Sequence, residues 1–136
     1  MEDGLIDGTV SEYSNNRVTS ICSNMFYRNN NITSVHFPAV TTINDTAFFN
    51  CNNLASVSFP AATTIGEQVF YSCRSLTKAS FPKVITIGNS AFLDCNNLAS
   101  ANFPVATTIV SGAFAHCSAL TKASFPQVTS IGGSAF

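Results

Sequence analysis

The sequence predicts a solenoid, in which about five to six rungs of 22 residues stack along one axis. Three observations support this fold class. Every proline follows a phenylalanine, and these Phe-Pro pairs recur 22 residues apart at Phe37, Phe59, Phe81, Phe103 and Phe125. A second phenylalanine column has the same spacing and contains Phe26, Phe48, Phe70, Phe92, Phe114 and Phe136. An aliphatic column contains Val10, Ile32, Leu54, Leu76, Leu98 and Leu120. Because one rung cannot bury its own apolar side, the rungs must stack, and each column becomes a continuous ladder of like residues.

Each rung is predicted to begin with a short parallel strand, as in the segment from Leu54 to Phe59. Leu54, Val57 and Phe59 should point inward, and the serines that alternate with them should face solvent on a concave surface. The proline that follows has no N–H group to donate, so it should end the strand.

The rest of each rung is predicted to contain a second short extended segment and a helical turn. In one rung the extended segment is Ala62–Ile65, and Glu67–Cys73 forms the helical turn that carries Phe70. Gly66 turns the chain between them. Val110 occupies the equivalent glycine position in a later rung, where a left-handed backbone would strain a β-branched residue.

Three further columns keep the same period. The isoleucine column contains Ile21, Ile43, Ile65, Ile87, Ile109 and Ile131. The small-residue column contains Met25, Ala47, Val69, Ala91, Ala113 and Ala135. The cysteine column contains Cys51, Cys73, Cys95 and Cys117, with Asn29 at the first rung.

Neighbouring cysteines in this column would be about 4.8 Å apart, but their nearly parallel Cβ vectors disfavour disulfides. We therefore expect buried free thiols in this column and a more exposed thiol at Cys22.

The repeat pattern resembles that of a known family. Its consensus, L-x-x-V-x-F-P-x-V-x-x-I-G-x-x-A-F-x-x-C, is similar to the BspA-like, Treponema-type class of leucine-rich repeats over roughly Val10–Phe136. The resemblance implies a leucine-rich-repeat solenoid. It also implies a non-catalytic protein-binding or adhesion module of a bacterial surface or secreted protein, whose repeat faces bind a host or cell-surface partner. Phage-associated proteins carry similar repeats, and no catalytic residues are implied.

The chain divides into an acidic, non-repeating segment, residues 1–9, and a repeat array, residues 10–136. The first rung is degenerate, because Asn15 and Asn16 replace the Phe-Pro pair and Tyr13 replaces the valine. The last rung, Leu120–Phe136, is expected to be incomplete. Either a longer array or a second chain would cover it, so self-association through this end is one expectation. The alternative function is therefore a structural spacer or assembly subunit of an envelope or phage particle.

Composition excludes several function classes. Charged residues make up 10% of the chain, far below the roughly 25% typical of soluble domains. The net charge is −1 and the cations are scattered, so no nucleic-acid partner is predicted. No apolar run is long enough for a membrane span. The N-terminus lacks the apolar stretch of a signal peptide, although we expect an extracellular or cell-surface location.

The candidate binding residues lie on two surfaces. The concave strand face is predicted to display Ser34, His36, Ser56, Lys78, Ser80, Ser100, Asn102 and Lys122. Lys78 and Lys122 are suited to an anionic group, but a neutral, solvated sheet is the alternative interpretation. A second column begins with Tyr27, Phe49 and Tyr71 and continues with Leu93 and Ala115. This column is either an apolar stripe for a partner or packing over the predicted helical turn.

Two pairs of titratable residues share columns on adjacent rungs. Asp45 lies next to Glu67, and Asp94 lies next to His116. Such pairs can perform acid–base chemistry, but no nucleophile is placed to use them, and surface neighbours are the simpler interpretation. The sequence therefore predicts no enzyme activity, no metal site and no cofactor.

Overall fold

The computed structural model describes residues 10–136, which form a β-solenoid of stacked 22-residue rungs. The non-repeating segment 1–9 lies outside the described residues. Each rung contributes one strand of three residues and one of two residues. The three-residue strands are β1 (Glu12–Ser14), β3 (Ser34–His36), β5 (Ser56–Ser58), β7 (Lys78–Ser80), β9 (Ser100–Asn102) and β11 (Lys122–Ser124). The two-residue strands are β2 (Ser20–Ile21), β4 (Thr42–Ile43), β6 (Thr64–Ile65), β8 (Thr86–Ile87), β10 (Thr108–Ile109) and β12 (Ser130–Ile131). Both predicted extended segments are thus confirmed.

All strand pairs are parallel, and each residue lies opposite the residue 22 positions later in the chain, as Ser34 lies opposite Ser56. The two-residue strands form one continuous six-stranded sheet in the order β12-β10-β8-β6-β4-β2. The three-residue strands form two separate sheets, β1-β3-β5 and β7-β9-β11. One face of the solenoid is therefore unbroken, whereas the other is interrupted between β5 and β7.

The predicted helical turn is wrong, because no residue from 10 to 136 lies in a helix. In the segment that follows Gly66, alternate N–H groups bond to different partners. Gln68 and Phe70 donate to carbonyl oxygens of the next rung at 2.9 and 2.7 Å, whereas Tyr71 and Cys73 donate to carbonyl oxygens three residues earlier. A helix would direct every N–H group back along its own segment. Half of these backbone N–H groups bond to the next rung instead, so the segment is a series of tight turns.

The left-handed residues lie two and six positions after the glycine column, so Val110 does not have the left-handed backbone that would strain it. Two columns have positive φ. The first contains Asn24, Thr46, Gln68, Ser90, Gly112 and Ser134. The second contains Arg28, Asn50, Ser72, Asp94 and His116. Glycine is needed in that column because the backbones of neighbouring rungs approach closely there. A Cβ atom at Gly88 would lie 2.4 Å from the Gly66 carbonyl oxygen.

Two ladders of phenylalanine rings fill the core. Rings of the second phenylalanine column stack at centroid separations of 5.0–5.5 Å, as in Phe92 on Phe114 at 5.1 Å. Rings of the Phe-Pro column stack beside them, and the two columns meet edge to face, as in Phe92 and Phe103 at 74°. Each such pair contributes about 0.5–1.5 kcal/mol beyond the burial of its area. Nine of these rings are among the fully buried side chains, whereas Phe136 of the last rung is 58% exposed.

In the first rung, side-chain hydrogen bonds take the place of the contacts that the Phe-Pro pair makes in later rungs. The Asn15 Oδ1 atom accepts the N–H groups of Arg17 and Val18 at 2.8 and 2.9 Å. The Asn29 Oδ1 atom does the same for the two backbone groups that follow it by two and three residues. Tyr13 remains in the core and meets Phe26 edge to face. The degenerate rung thus keeps the turns of the repeat with polar residues in place of the missing Phe-Pro pair and cysteine.

The cysteine column consists of free thiols, as predicted. Each Sγ atom donates to the carbonyl oxygen of a phenylalanine on the preceding rung, and Cys51 bonds to Phe26 at 3.0 Å. Burial raises the pKa of Cys51 from 9.0 to about 12 and that of Cys117 to about 11. Burial also raises the pKa values of Cys73 and Cys95. Cys22 is exposed, as expected.

Replacing Gln68 by glycine should stabilise the fold by about 0.5–1 kcal/mol, because glycine accepts a left-handed backbone without the cost that a side chain imposes. Gln68 has a φ of 55°. Chemical denaturation of Gln68→Gly measures the change. Glu67→Gly is the matched control, since Glu67 is not among the positive-φ residues, and it should destabilise the fold by about 0.5–1 kcal/mol. Equal effects of the two substitutions would contradict the assignment of left-handed strain.

The buried thiols should make the free energy of unfolding fall as the pH rises above about 9. The unfolded chain loses its thiol protons near pH 9, whereas folded Cys51 keeps its proton up to a pKa of about 12. The folded state then binds more protons than the unfolded state, so alkaline pH favours unfolding. Urea denaturation at pH 8, 9 and 10 measures the slope. Cys51→Ala should have a shallower slope than the wild type, and an unchanged slope would show that this thiol is not protected.

Candidate functional site

The concave face gathers the predicted binding residues into two rows. One row contains Ser34, Ser56, Lys78, Ser100 and Lys122, and the other contains His36, Ser80 and Asn102. His36, Ser56, Lys78, Asn102 and Lys122 are exposed, and Ser34, Ser80 and Ser100 are half-buried. The strand register therefore places all eight side chains on one surface. The two rows are not continuous, because β5 and β7 do not pair.

A group of hydrogen bonds that recurs between other rungs is missing at this junction. The N–H group of Ala55 donates to the Thr33 carbonyl oxygen at 2.8 Å, and that of Ala99 donates to the Thr77 carbonyl oxygen at 2.9 Å. In the part of the chain that the structure describes, the equivalent bond from Thr77 to Ala55 does not form. The Thr33 hydroxyl also donates to the Ser11 carbonyl oxygen, whereas the Thr77 hydroxyl makes no such bond.

The other end of the same strands is open as well. The N–H group of Phe37 donates to the Ser58 carbonyl oxygen at 3.0 Å. Across residues 10–136, no equivalent bond joins Phe59 to Ser80. The ring centroids of Phe59 and Phe81 are 6.2 Å apart, compared with 5.7 Å for Phe37 and Phe59. The separation between the two rungs thus extends from the strand edges into the phenylalanine ladder.

The position of the split coincides with a change in side-chain size. The inward residues of the first sheet are Tyr13, Val35 and Val57, and those of the second sheet are Ala79, Ala101 and Ala123. Val57 is only partly buried, whereas Val35 in the neighbouring paired strand and Ala79 are both buried. The loss of strand pairing therefore coincides with the step from Val57 to Ala79.

The split opens a cleft of about 420 Å³ on the concave face. Val57, Phe59 and the prolines Pro60 and Pro82 supply its apolar lining. Its polar lining consists of Ser56, Ser58, Thr77, Lys78 and Ser80. Sequence reasoning placed several of these residues on the binding face but missed the cleft itself. The signal that could have indicated it is the valine-to-alanine step in the inward column.

Positive charge dominates this part of the concave face. Lys78 lies at the cleft and Lys122 lies two strands away in the same row. Glu12 is the one carboxylate among the concave strand residues of the described chain, and it lies in β1 at the far end. Between residues 10 and 136 the single ion pair joins Arg74 to Asp94, so Lys78 has no carboxylate partner. The cleft is therefore suited to a ligand that carries negative charge.

The aromatic column forms a stacked ladder along one edge of the solenoid. The rings of Tyr27 and Phe49 stack at 5.0 Å, and those of Phe49 and Tyr71 stack at 4.7 Å. Tyr27 is 44% exposed, and the Arg28 guanidinium lies 5.4 Å from its ring centroid. Phe49 and Tyr71 are half-buried. The ladder packs on itself and leaves Tyr27 exposed. No helical turn lies beneath it among the described residues, and its role as a partner surface stays a prediction.

In the two pairs of titratable residues, Asp45 and Asp94 accept hydrogen bonds from neighbouring rungs. The Asp45 Oδ1 atom accepts the backbone N–H of Glu67 at 2.8 Å and so serves as a structural acceptor. Asp94 accepts hydrogen bonds from Arg74, Asn96 and Ser72, of which the Arg74 bond contributes most to lowering its pKa. No hydrogen bond joins its carboxylate to the His116 imidazole in the described structure. These carboxylates stabilise the turns that connect rungs.

Residues 10–136 were considered for metal-binding and membrane-spanning features by their side-chain types and element lengths. No group of three side chains among them is placed to hold a metal ion. No helix in this range has the length and apolar content needed to cross a bilayer.

One family model and several solved structures match the chain. The model of the BspA-type leucine-rich-repeat region matches residues 19–136 in six copies. A leucine-rich cell-surface protein from Faecalibacterium prausnitzii is 25% identical with a TM-score of 0.78, and the match covers 93% of this chain and 36% of that chain. A leucine-rich-repeat protein from Eubacterium ventriosum is 25% identical with a TM-score of 0.78, over 94% of this chain and 42% of that chain.

The leucine-rich-repeat protein of T. pallidum shows the same fold at 22% identity and a TM-score of 0.66, over 85% of this chain and 67% of that chain. The chain thus spans less than half the length of the F. prausnitzii and E. ventriosum proteins. A search of curated proteins finds no match.

Proposed function

Because the chain belongs to the BspA-type leucine-rich-repeat family, we propose that it is a non-catalytic protein-binding module of a bacterial surface or secreted protein. Its repeat faces bind a host protein or a protein of a neighbouring cell, and it works outside the cell or on the cell surface. The similarity to a cell-surface protein at 25% identity supports this location. No chemistry beyond recognition is required of the residues described above.

The observation that carries the proposal is the concave strand face. Its side chains are held at a fixed spacing by parallel pairing, so a ligand meets a preorganised surface and little ordering entropy is lost on binding. The face offers hydroxyl, amide and imidazole groups together with Lys78 and Lys122. These groups donate hydrogen bonds to carbonyl and carboxylate oxygens, which are abundant on protein surfaces.

The aromatic ladder of Tyr27, Phe49 and Tyr71 is the proposed second contact surface. Tyrosine is enriched among the residues that contribute most to protein interfaces. The Tyr27 ring is 44% exposed and is flanked by Arg28, a residue type with the same enrichment. A partner that bound both surfaces would bury apolar ring edges and satisfy polar groups of the concave face.

The proposal predicts saturable binding to a surface-exposed protein, with binding lost on charge reversal of the concave face. The immobilised chain should be tested by surface plasmon resonance against a panel of purified extracellular and cell-surface proteins. The concave variant Lys122→Glu should weaken the measured affinity at least about tenfold, the effect of one charged hydrogen bond. Lys83→Glu is the matched control, because Lys83 is exposed and does not lie in a concave strand. No saturable binding to any panel member, or equal losses in both variants, would contradict the proposal.

The second candidate function is a structural spacer or assembly subunit. The observation that favours it is the exposed last rung, in which Ile131 and Phe136 are 59% and 58% exposed. A cavity of about 300 Å³ between Phe114, Leu120 and Phe136 also opens there. Another rung or a second copy would cover this apolar surface. Light scattering of the same protein over a concentration series distinguishes the two functions, since only assembly requires a mass that rises with concentration.

A further inference from the structure

We propose that the junction between the rungs of β5 and β7 is a hinge, at which the two halves of the concave face open and close relative to each other. The halves are the sheet β1-β3-β5 and the sheet β7-β9-β11. The opposite side of the same junction is the pivot, because its backbone bonds are intact. This inference goes beyond the proposed binding function and does not depend on it.

The concave side of this junction lacks backbone bonds that every other junction has. The residue just before each three-residue strand donates its N–H group to the preceding rung at Thr33, Ala55, Ala99 and Thr121. The residue just after the strand donates to the following rung at Asn15, Phe37, Phe81 and Phe103. Within residues 10–136, the equivalent N–H groups of Thr77 and Phe59 make no such bond. The two rungs are thus held less firmly on this side than at any of the other junctions.

The other side of the junction is fully bonded. β6 and β8 pair in the regular register, and the N–H groups of Ile85 and Gly88 donate to carbonyl oxygens of the preceding rung at 2.9 and 3.0 Å. In the turn that follows, the N–H group of Phe70 donates to the Ala91 carbonyl oxygen at 2.7 Å. Two rigid bodies that are held along one edge and released along the other form a hinge.

The phenylalanine ladders show the same asymmetry. In the Phe-Pro column, the ring centroids of Phe59 and Phe81 are 6.2 Å apart, whereas the other pairs of that column are 5.3–5.7 Å apart. In the second phenylalanine column, Phe70 and Phe92 keep the ordinary separation of 5.1 Å across the same junction. The rings are stacked in both columns. The structure therefore shows the hinge closed, with the looser contact on the concave side.

Opening at this hinge changes the curvature of the concave face. The sheet β1-β3-β5 tilts away from the sheet β7-β9-β11, and the spacing inside each sheet is kept by its own strand pairing. Ser56 and Lys78, which lie on either side of the junction, move apart. A partner that contacts both sheets selects one curvature from the two, whereas a partner confined to one sheet binds both equally well.

The test is NMR relaxation dispersion, which detects exchange on the microsecond-to-millisecond timescale of hinge motions. We expect exchange at the amides of Phe59 and Thr77, with one shared rate because the two strands move together. The equivalent amides of Phe37 and Ala99 lie at paired junctions and should give flat profiles, as should that of Gly88 at the pivot.

A zinc clamp separates hinge motion from local mobility of the two unbonded amides. Ser56→His combined with Lys78→His places two imidazoles on neighbouring strands, where one Zn²⁺ ion can bind both and hold the strands together. The matched control is Ser100→His combined with Lys122→His, in the same row but across the paired strands β9 and β11. Zinc should remove the exchange at Phe59 and Thr77 in the first variant. It should leave that exchange unchanged in the control and in the wild type.

Flat profiles at Phe59 and Thr77 in the wild-type protein would overturn the inference, whether or not either variant folds. Different exchange rates in the two strands would also overturn it, because they would indicate separate local fraying. Zinc that removes the exchange equally in the clamp variant and the control would do the same. The amide spectra of both metal-free variants should match that of the wild type outside the substituted strands.

Discussion

The fold depends on backbone hydrogen bonding between successive rungs, whose paired strand residues are 22 positions apart. In every rung the two strands and the turns send N–H groups to neighbouring rungs, so the same offset must be kept along the whole chain. The sequence columns follow from this constraint, because a fixed offset places each side chain against its own equivalent. Stacked phenylalanine rings, thiols that donate to phenylalanine carbonyl oxygens and small residues at close approaches are all consequences of it. Stability is accordingly shared between neighbouring rungs, as in other repeat proteins.

The core could be predicted from the sequence because burial follows side-chain type. The phenylalanine, isoleucine and cysteine columns identify the inward positions without any knowledge of the backbone. The turns could not be predicted in the same way. Asn24 and Gly112 are typical left-handed residues, but Thr46 and Gln68 occupy the same column and are not. Their conformation is imposed by bonding to the next rung, which outweighs local preference.

The candidate site could be predicted only in part, because the repeat period fixes the positions of side chains but not the differences between rungs. Period and alternation place Lys78, Ser80 and their neighbours on one strand face, and the register aligns them with Ser100 and Asn102. Their role in binding stays a prediction. The cleft depends instead on a difference between two rungs, Val57 against Ala79, which a consensus pattern averages away. Repeats that obey the pattern build the scaffold, and the departure from the pattern creates the one interruption in the concave sheet of the described chain.

The most direct test of the fixed offset compares two deletions in the middle of the array. Removing residues 54–75 deletes one complete rung of 22 residues and keeps every later column in register. Removing residues 54–76 deletes one residue more and displaces the columns of the later rungs by one position. We expect the first variant to unfold in a single cooperative transition, measured by circular dichroism in urea. The second should lose cooperativity, because its two halves can no longer pair across the junction. Equal stability and cooperativity in both variants would contradict the central role of the offset.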